Sequence, residues 1–287
     1  MYTRIKLYRK YIIYSCFILI EAFLIDIFFN SMILAAIFAV AMFIYADIGG
    51  ELFSKFSMGC RPLEYGNSNA INKVNRSFEN VKNKVELKFA CRPNINLYYI
   101  PTDEINAYSL GRKTIGITTG AMNSLDSHII EAVISHEIGH SINGDMFLYR
   151  FLFGNLVAAM LVIGLWNAVF IGVIVFIGIL LFAFTGMRYN YIAYHISSVI
   201  LNIIRKIMAA IKNILFKVGE AIIAVISRKS EYKADEFAFL LGYGKYLCIF
   251  LEKYDTPISF KPRSIIELVY STHPDNYKRI QRLNRLN

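Results

Sequence analysis

The segment His136-Glu137-Ile138-Gly139-His140 sets two imidazoles four residues apart. On an α-helix, positions i and i+4 are neighbours on one face, so both rings can grip a single metal ion, and zinc suits this donor pair. Glu137, one residue past the first His, stands beside the open coordination position, where a water would sit. Zinc lowers the pKa of a bound water to about 7, and a carboxylate within reach can take its proton and pass it to a leaving amine. The implied reaction is peptide-bond hydrolysis with Glu137 as general base. A catalytic zinc needs a third protein ligand, and the stretch from Ser227 to Glu236 offers two acids one helical turn apart. Glu231 is the expected ligand. Asp235 can accept the free ring N–H of a zinc-bound His and fix its tautomer. Without the His pair, this stretch would read as a solvated charged face.

The elements around the motif follow from local signals. Asp126 can cap a helix start, Ile129, Ile130, Val133 and Ile134 form an apolar stripe at helical spacing, and Asn143-Gly144 supplies a stop. The motif therefore lies on a helix. Upstream, Asn67 to Lys88 reads as an amphipathic helix with Ile71, Val74, Phe78, Val81 and Val85 inward. Asn94–Ile100, Ile105–Leu110 and Thr114–Thr118 are rich in Ile, Tyr and Thr and are punctuated by Pro-Thr-Asp and Gly-Arg-Lys turns. They predict a small sheet beside the motif helix.

At these residues the chain resembles the HtpX-type heat-shock membrane metalloproteases, which share their zinc-site logic with gluzincins and with the multi-spanning CAAX prenyl proteases. Four blocks carry the resemblance in order: Asn106 to Gly111, Glu131 to Met146, the Ser-Arg-x-x-Glu-Tyr-x-Ala-Asp run of Ser227 to Asp235, and Ser271-Thr272-His273-Pro274 with Arg279 and Arg282 beyond. The resemblance implies His136, His140 and Glu231 as ligands of one Zn²⁺ and Glu137 as base. It also implies Asn106 and Ala107 on a sheet edge that pairs with substrate, and His273 and Arg279 as donors that steady the oxyanion. For Asn106 a plain sheet core, and for Arg279 a lipid-headgroup contact, are the alternatives.

Composition adds a membrane. The chain has 287 residues, of which 56% are hydrophobic, and a mean hydropathy of +0.44, too apolar for a soluble enzyme of this size. Phe151 to Met187 contains no Lys, Arg, Asp or Glu, more than one span of about 20 residues requires. Two helices, Phe147 to Leu165 and Val169 to Met187, are expected with a tight turn at Trp166-Asn167. Tyr11 to Tyr45 reads as two further spans with a turn between Asp26 and Ser31, and Glu21, deeper in, faces the bundle interior or reaches for the interface, in a structural role rather than on an ion or substrate path. Basic residues concentrate at the N-terminus, after the second span and in the C-terminal third, while both outer turns lack them. By the positive-inside rule both termini and the site face the cytoplasm of a cell-membrane protein. The net charge of +10 is thus first a topology signal, with attraction to the lipid bilayer second and no nucleic-acid module in sight. Cys16, Cys60, Cys91 and Cys248 show neither disulfide nor zinc spacing.

The expected architecture is a mainly α membrane protein with four transmembrane helices and a cytoplasmic gluzincin-like zinc-protease domain holding a small β-sheet. Residues 1–10 form a cytoplasmic N-terminus, 11–48 a first transmembrane hairpin, 49–146 the first protease part, 147–187 a second hairpin, and 188–287 the second protease part. Within the last, Tyr191 to Ile226 forms a basic amphipathic helix that lies either on the membrane surface or over the protease domain. The expected function is zinc-dependent endopeptidase cleavage of misfolded or damaged membrane proteins on the cytoplasmic side. A non-catalytic membrane scaffold or chaperone that has kept the motif is the alternative. An intramembrane protease is disfavoured, because polar strands and a capped helix surround the His pair. A CAAX protease is weaker still, because four spans cannot enclose a chamber.

Overall fold

The computed structural model describes residues 23, 31–63, 69–185, 190–254 and 276–286. His273, Cys16, Glu21, Asp26 and the first expected span lie outside these. The chain divides into two compact units, Met1–Phe151 with Ile223–Asn287, and Leu152–Ile222.

The first unit is built around the motif helix. Its described elements are α1 (Met32–Ile44), a π-helical turn (Tyr45–Gly49), α2 (Gly50–Ser57), β1 (Arg61–Pro62), α3 (Asn69–Phe89), β2 (Asn96–Ile100), β3 (Ala107–Ser109), β4 (Thr114–Thr118), α4 (Thr119–Ser124) and α5 (Ser127–Asn143), followed by the start of α6 (Asp145–Thr185), the end of α7 (Asn190–Leu240), α8 (Gly244–Lys253) and α9 (Asn276–Leu286). The Asp126 carboxylate accepts the Ile129 N–H at 3.0 Å and starts α5, and Gly144 ends it in the left-handed conformation at φ 66°, where a Cβ would be strained. Ile129, Ile130, Val133 and Ile134 are buried, as are Val74, Phe78, Val81 and Val85 of α3, with Ile71 packed partly exposed beside them. Both periodicities were thus legible in the sequence.

The four strands are ordered β1-β2-β4-β3. β2 and β4 are parallel, from Asn96 opposite Thr114 to Ile100 opposite Thr118, whereas β3 pairs antiparallel with β4, Tyr108 opposite Gly116. β3 is therefore an edge. Its even-numbered neighbours bond inward, Leu110 N–H to the Thr114 carbonyl and Thr118 N–H to the Asn106 carbonyl, so Ala107 and Ser109 turn their backbone groups away from β4.

α1, the π-helical turn and α2 run on as one apolar helix, Met32–Ser57, with a mean hydropathy of 2.2, long and apolar enough to cross a membrane. In the second unit, Ile163–Leu180 of α6 qualifies as well, with a mean hydropathy of 2.5. Among the described residues these two qualify, against four expected. The turn expected at Trp166-Asn167 does not form: α6 is continuous from Asp145 to Thr185, and the Trp166 ring lies tilted at 37° against that of Phe170 one turn later, with ring centres 5.9 Å apart. Trp-Asn contains neither Pro nor Gly, and an apolar run without a breaker continues as helix.

α5 and α7 meet where neither carries bulk. A Cβ on Gly139, between the two motif histidines, would stand 3.1 Å from Ala234 Cα and 3.3 Å from Phe237 Cβ, so glycine permits the approach on which the site depends. Gly139→Ala should force the helices apart, destabilise the fold by about 1–3 kcal/mol, and weaken metal binding together with activity. Calorimetry and metal content of the purified variant check this; an unchanged melting temperature with full metal content would show that the two helices have room to spare.

Candidate metal centre

α5 presents the two rings and α7 crosses it with the acid. His136 Nε2 and His140 Nε2 are 3.1 Å apart, Glu231 Oε2 is 3.3 Å from His136 Nε2, and Glu231 Oε1 is 3.4 Å from His140 Nε2. Ligand atoms about 2.0–2.1 Å from a tetrahedral zinc stand about 3.3 Å from one another. The two Nε2 atoms stand at about that separation, as does each from the Glu231 oxygen that faces it. All three residues are buried, and buried acids need a compensating cation. The donor set and its spacing therefore fit a zinc ion.

Both rings are oriented from behind. His136 Nδ1 lies 3.0 Å from Asp235 Oδ1, the partner expected from the sequence. His140 Nδ1 lies 3.0 Å from Asp145 Oδ2. Asp145 was missed, and its signal was available: it is the first residue after the left-handed Gly144, close in space to the preceding turn. With each Nδ1–H donating to a carboxylate, both Nε2 atoms are turned toward the same place.

Burial alone would lower the pKa of both rings. For His136 the Asp235 and Glu231 carboxylates outweigh it and the pKa is raised; for His140 Glu231 and Asp145 raise it well above the ordinary range. Asp235 would be raised by burial, yet Arg279 and His136 hold it below the ordinary carboxylate value.

Arg279, on α9, does come back to the site, and it is buried, which removes the lipid-headgroup alternative. Its Nε donates to Asp235 Oδ2 at 2.9 Å and its Nη2 to Asp235 Oδ1 at 2.7 Å, a forked geometry suited to holding a carboxylate. Nη2 also stands 3.3 Å from Glu231 Oε2. The guanidinium thus braces the ligand-supporting acid, while it also lines the cavity. Arg282 is exposed and lies over Tyr232, 4.8 Å from the ring centre.

Glu137 faces the sheet. Its Oε2 accepts the outward N–H of Ser109 at 2.6 Å, and Ser109 Oγ is 2.9 Å from Ser141 Oγ, so one edge-strand residue is tied to the motif helix at two points. Asn106 and Ala107, with Glu137, His136, His140, Glu231 and Arg279, line one cavity of about 70 Å³. Asn106 Nδ2 is 3.2 Å from Tyr108 Oη and from Glu104 Oε1. The sequence-expected residues that are described therefore all reach the same cavity or its supporting layer.

The sequence model of peptidase family M48 matches residues 69–287. The chain belongs to that family. Among its relatives, the protease HtpX homolog of Bacillus licheniformis is 27% identical over 212 residues, 67% of this chain and 62% of the relative. That of Thermococcus sibiricus is 28% identical over 218 residues, 68% of each chain, and that of Pelotomaculum thermopropionicum is 26% identical over 295 residues, 89% of this chain and 97% of the relative. The chain thus spans less than two thirds of the Bacillus licheniformis relative's length. A crystal structure of S. mikatae Ste24p aligns with a TM-score of 0.42 at 20% identity, over 98% of this chain and 64% of that one.

Two outcomes follow from the site. Asp145→Asn should weaken zinc affinity about 10- to 100-fold, measured by chelator competition; an unchanged affinity would make the His140 contact incidental. Because both histidines carry raised pKa values, zinc must displace protons to bind. Affinity should therefore fall as pH drops, by about tenfold per pH unit for each proton displaced, and titration of zinc retention between pH 8 and pH 5 reads the slope.

Proposed function

We propose that this protein is a membrane-anchored zinc endopeptidase. The observation that carries this reading is the buried cluster of His136, His140 and Glu231 donors, one from each residue within 4.8 Å of the others, with Glu137 one residue from the first ligand and inside the same cavity. Bound zinc supplies Lewis acidity, polarising a peptide carbonyl and making water a nucleophile near neutral pH. The chain's own residues do the rest. Glu137, steadied through Oε2 by the Ser109 N–H, takes the proton of the attacking water and delivers it to the departing amine. An extended substrate adds to the β3 edge, where Ala107 turns its backbone groups away from β4. His273 steadies the developing oxyanion from the closing segment, and Arg279 serves by fixing Asp235 and, through it, His136.

The substrate class we infer is misfolded or damaged membrane protein, cut on the cytoplasmic side of the cell membrane. This rests on the apolar helices Met32–Ser57 and Ile163–Leu180, on the distribution of basic residues, and on the HtpX relatives. Since His136 and Glu231 meet in one site, the chain between them crosses the bilayer an even number of times. Four spans in all, as expected from the sequence, would satisfy that parity; since α6 is one helix with a single qualifying segment, Ile163–Leu180, the second crossing between the two halves of the site would have to come from the rest of Leu152–Ile222 and not from a hairpin at Trp166-Asn167.

Glu137→Gln should leave zinc bound while hydrolysis of an unfolded protein falls by about 10²- to 10⁴-fold. Glu231→Ala should lose both. The measurement is zinc content beside cleavage of a labelled unfolded casein by detergent-purified protein. A Glu137→Gln variant that cleaves at the wild-type rate would remove Glu137 from the role of base, whereas a wild type without zinc-dependent cleavage would return the site to a scaffold or chaperone role.

A further inference from the structure

The edge strand that meets Glu137 ends in a turn, Leu110 to Thr114, and that turn is held by the end of an apolar helix that begins 80 residues earlier. Glu51, in the first turn of α2, accepts the Thr114 hydroxyl at 2.5 Å through Oε1 and the Arg112 N–H at 3.2 Å through Oε2. Asp47, from the π-helical turn, lies 3.6 Å from Arg112 Nη1. On the other side, Arg150 of α6, itself buried, donates through Nη2 to the Leu110 carbonyl and, at 3.1 Å, to Ser54 Oγ. Two glycines make room. A Cβ on Gly111 would collide with the Glu51 carboxylate, and one on Gly50 with the Arg150 side chain.

These contacts converge on residues adjoining Ser109, whose N–H holds Glu137 and whose hydroxyl meets Ser141 on the motif helix. We propose that Glu51 and Arg150 are positioning residues for peptide hydrolysis: they lock the β3–β4 turn to the juxtamembrane end of Met32–Ser57 and so fix both the Ser109 N–H that holds Glu137 and the edge on which substrate is laid. The inference rests on the endopeptidase reading. Glu51 lies outside the matched family region, which begins at residue 69, whereas Arg150 and the turn it holds lie within it. Three strands of chain, α2, the β3–β4 turn and α6, share the clamp, so its loss frees the edge without touching a metal ligand. A carboxylate with two acceptor oxygens serves two donors here. Glutamine keeps one acceptor and alanine none, so the substitutions should be graded.

The test uses the full chain in detergent, loaded with zinc. Glu51→Ala and, independently, Gly111→Ala, which drives the carboxylate out by bulk alone, should keep wild-type zinc content and lower kcat/KM on unfolded casein about 10- to 10²-fold, the loss expected for a misplaced reacting group. Glu51→Gln should fall between wild type and Glu51→Ala. Amide hydrogen exchange supplies a readout that needs no activity: peptides covering residues 106–114 should exchange faster in both alanine variants, while those covering 127–143 stay protected. Wild-type exchange over 106–114 in both variants would overturn the proposal, whatever the kinetics. So would loss of zinc in step with activity, which would make Glu51 a general stability residue. Should one alanine variant fail to fold, the other and the glutamine variant decide by the same two readouts. Absence of zinc-dependent cleavage in the wild type would sink the endopeptidase reading, and the exchange data would still decide whether the clamp holds the edge.

Discussion

Everything in the first unit is subordinate to one requirement: Glu231 must reach two imidazoles that lie on a different helix, in a place without bulk water. An unpaired buried carboxylate is costly. The fold meets the cost with layers of opposite charge. The rings face Glu231, the acids Asp235 and Asp145 stand behind the rings, and Arg279 stands behind Asp235 with a forked contact at 2.7 and 2.9 Å. Each layer neutralises the one before it. Removing one partner therefore exposes a buried charge, which costs far more than the contact's own net contribution.

That layering explains what the sequence could and could not disclose. The motif helix was legible because its signals are local: a cap at Asp126, a stop at Gly144, an apolar stripe and two histidines at fixed spacing all lie within about five turns of one another. The α3 stripe was legible for the same reason. Asp145 escaped because its role depends on a backbone geometry, the left-handed turn at Gly144, that carries it back toward His140. Arg279 was placed near the site, but its fork onto Asp235 was not foreseen, since sequence spacing cannot say which of several buried acids a guanidinium will meet. The turn at Trp166-Asn167 failed through a different logic: an apolar stretch too long for one span invites a break, yet helix propagation adds a hydrogen bond per residue, and nothing in Trp-Asn interrupts it. Glu51 was invisible because it is an acid at the end of an apolar run with no motif around it, and only tertiary structure reveals the turn it holds.

Glycine does work at the site that no side chain could do. Gly139 sits between the two ligating residues of α5 and faces Ala234 and Phe237, so the backbone of α7 comes close enough for Glu231 to span both rings. A longer side chain in place of Glu231 would not restore the geometry after a separation of the helices, because Asp235, one turn on, must reach His136 in the same register. Ligand and supporting acid are therefore a single rigid unit. Their spacing of four along α7 matches the spacing of four along α5.

The excursion Leu152–Ile222 leaves this unit and returns to it, which sets a condition on its two ends. Tyr149, just before the departure, meets Ser230, just after the return, with the two hydroxyl oxygens 2.7 Å apart. Arg150, the next residue, is tied to the Leu110 carbonyl and Ser54. Departure and return are thus pinned within one turn of Glu231 and of the β3–β4 turn. The free-energy cost of closing a long excursion rises only slowly with its length, so the site places almost no demand on what lies between the two pins. It demands only that α7 comes back in register. The metal-binding half of the molecule can therefore be encoded as two sequence blocks with a long apolar insertion between them, and the register of Ser230 against Tyr149 decides whether Glu231 arrives at the rings.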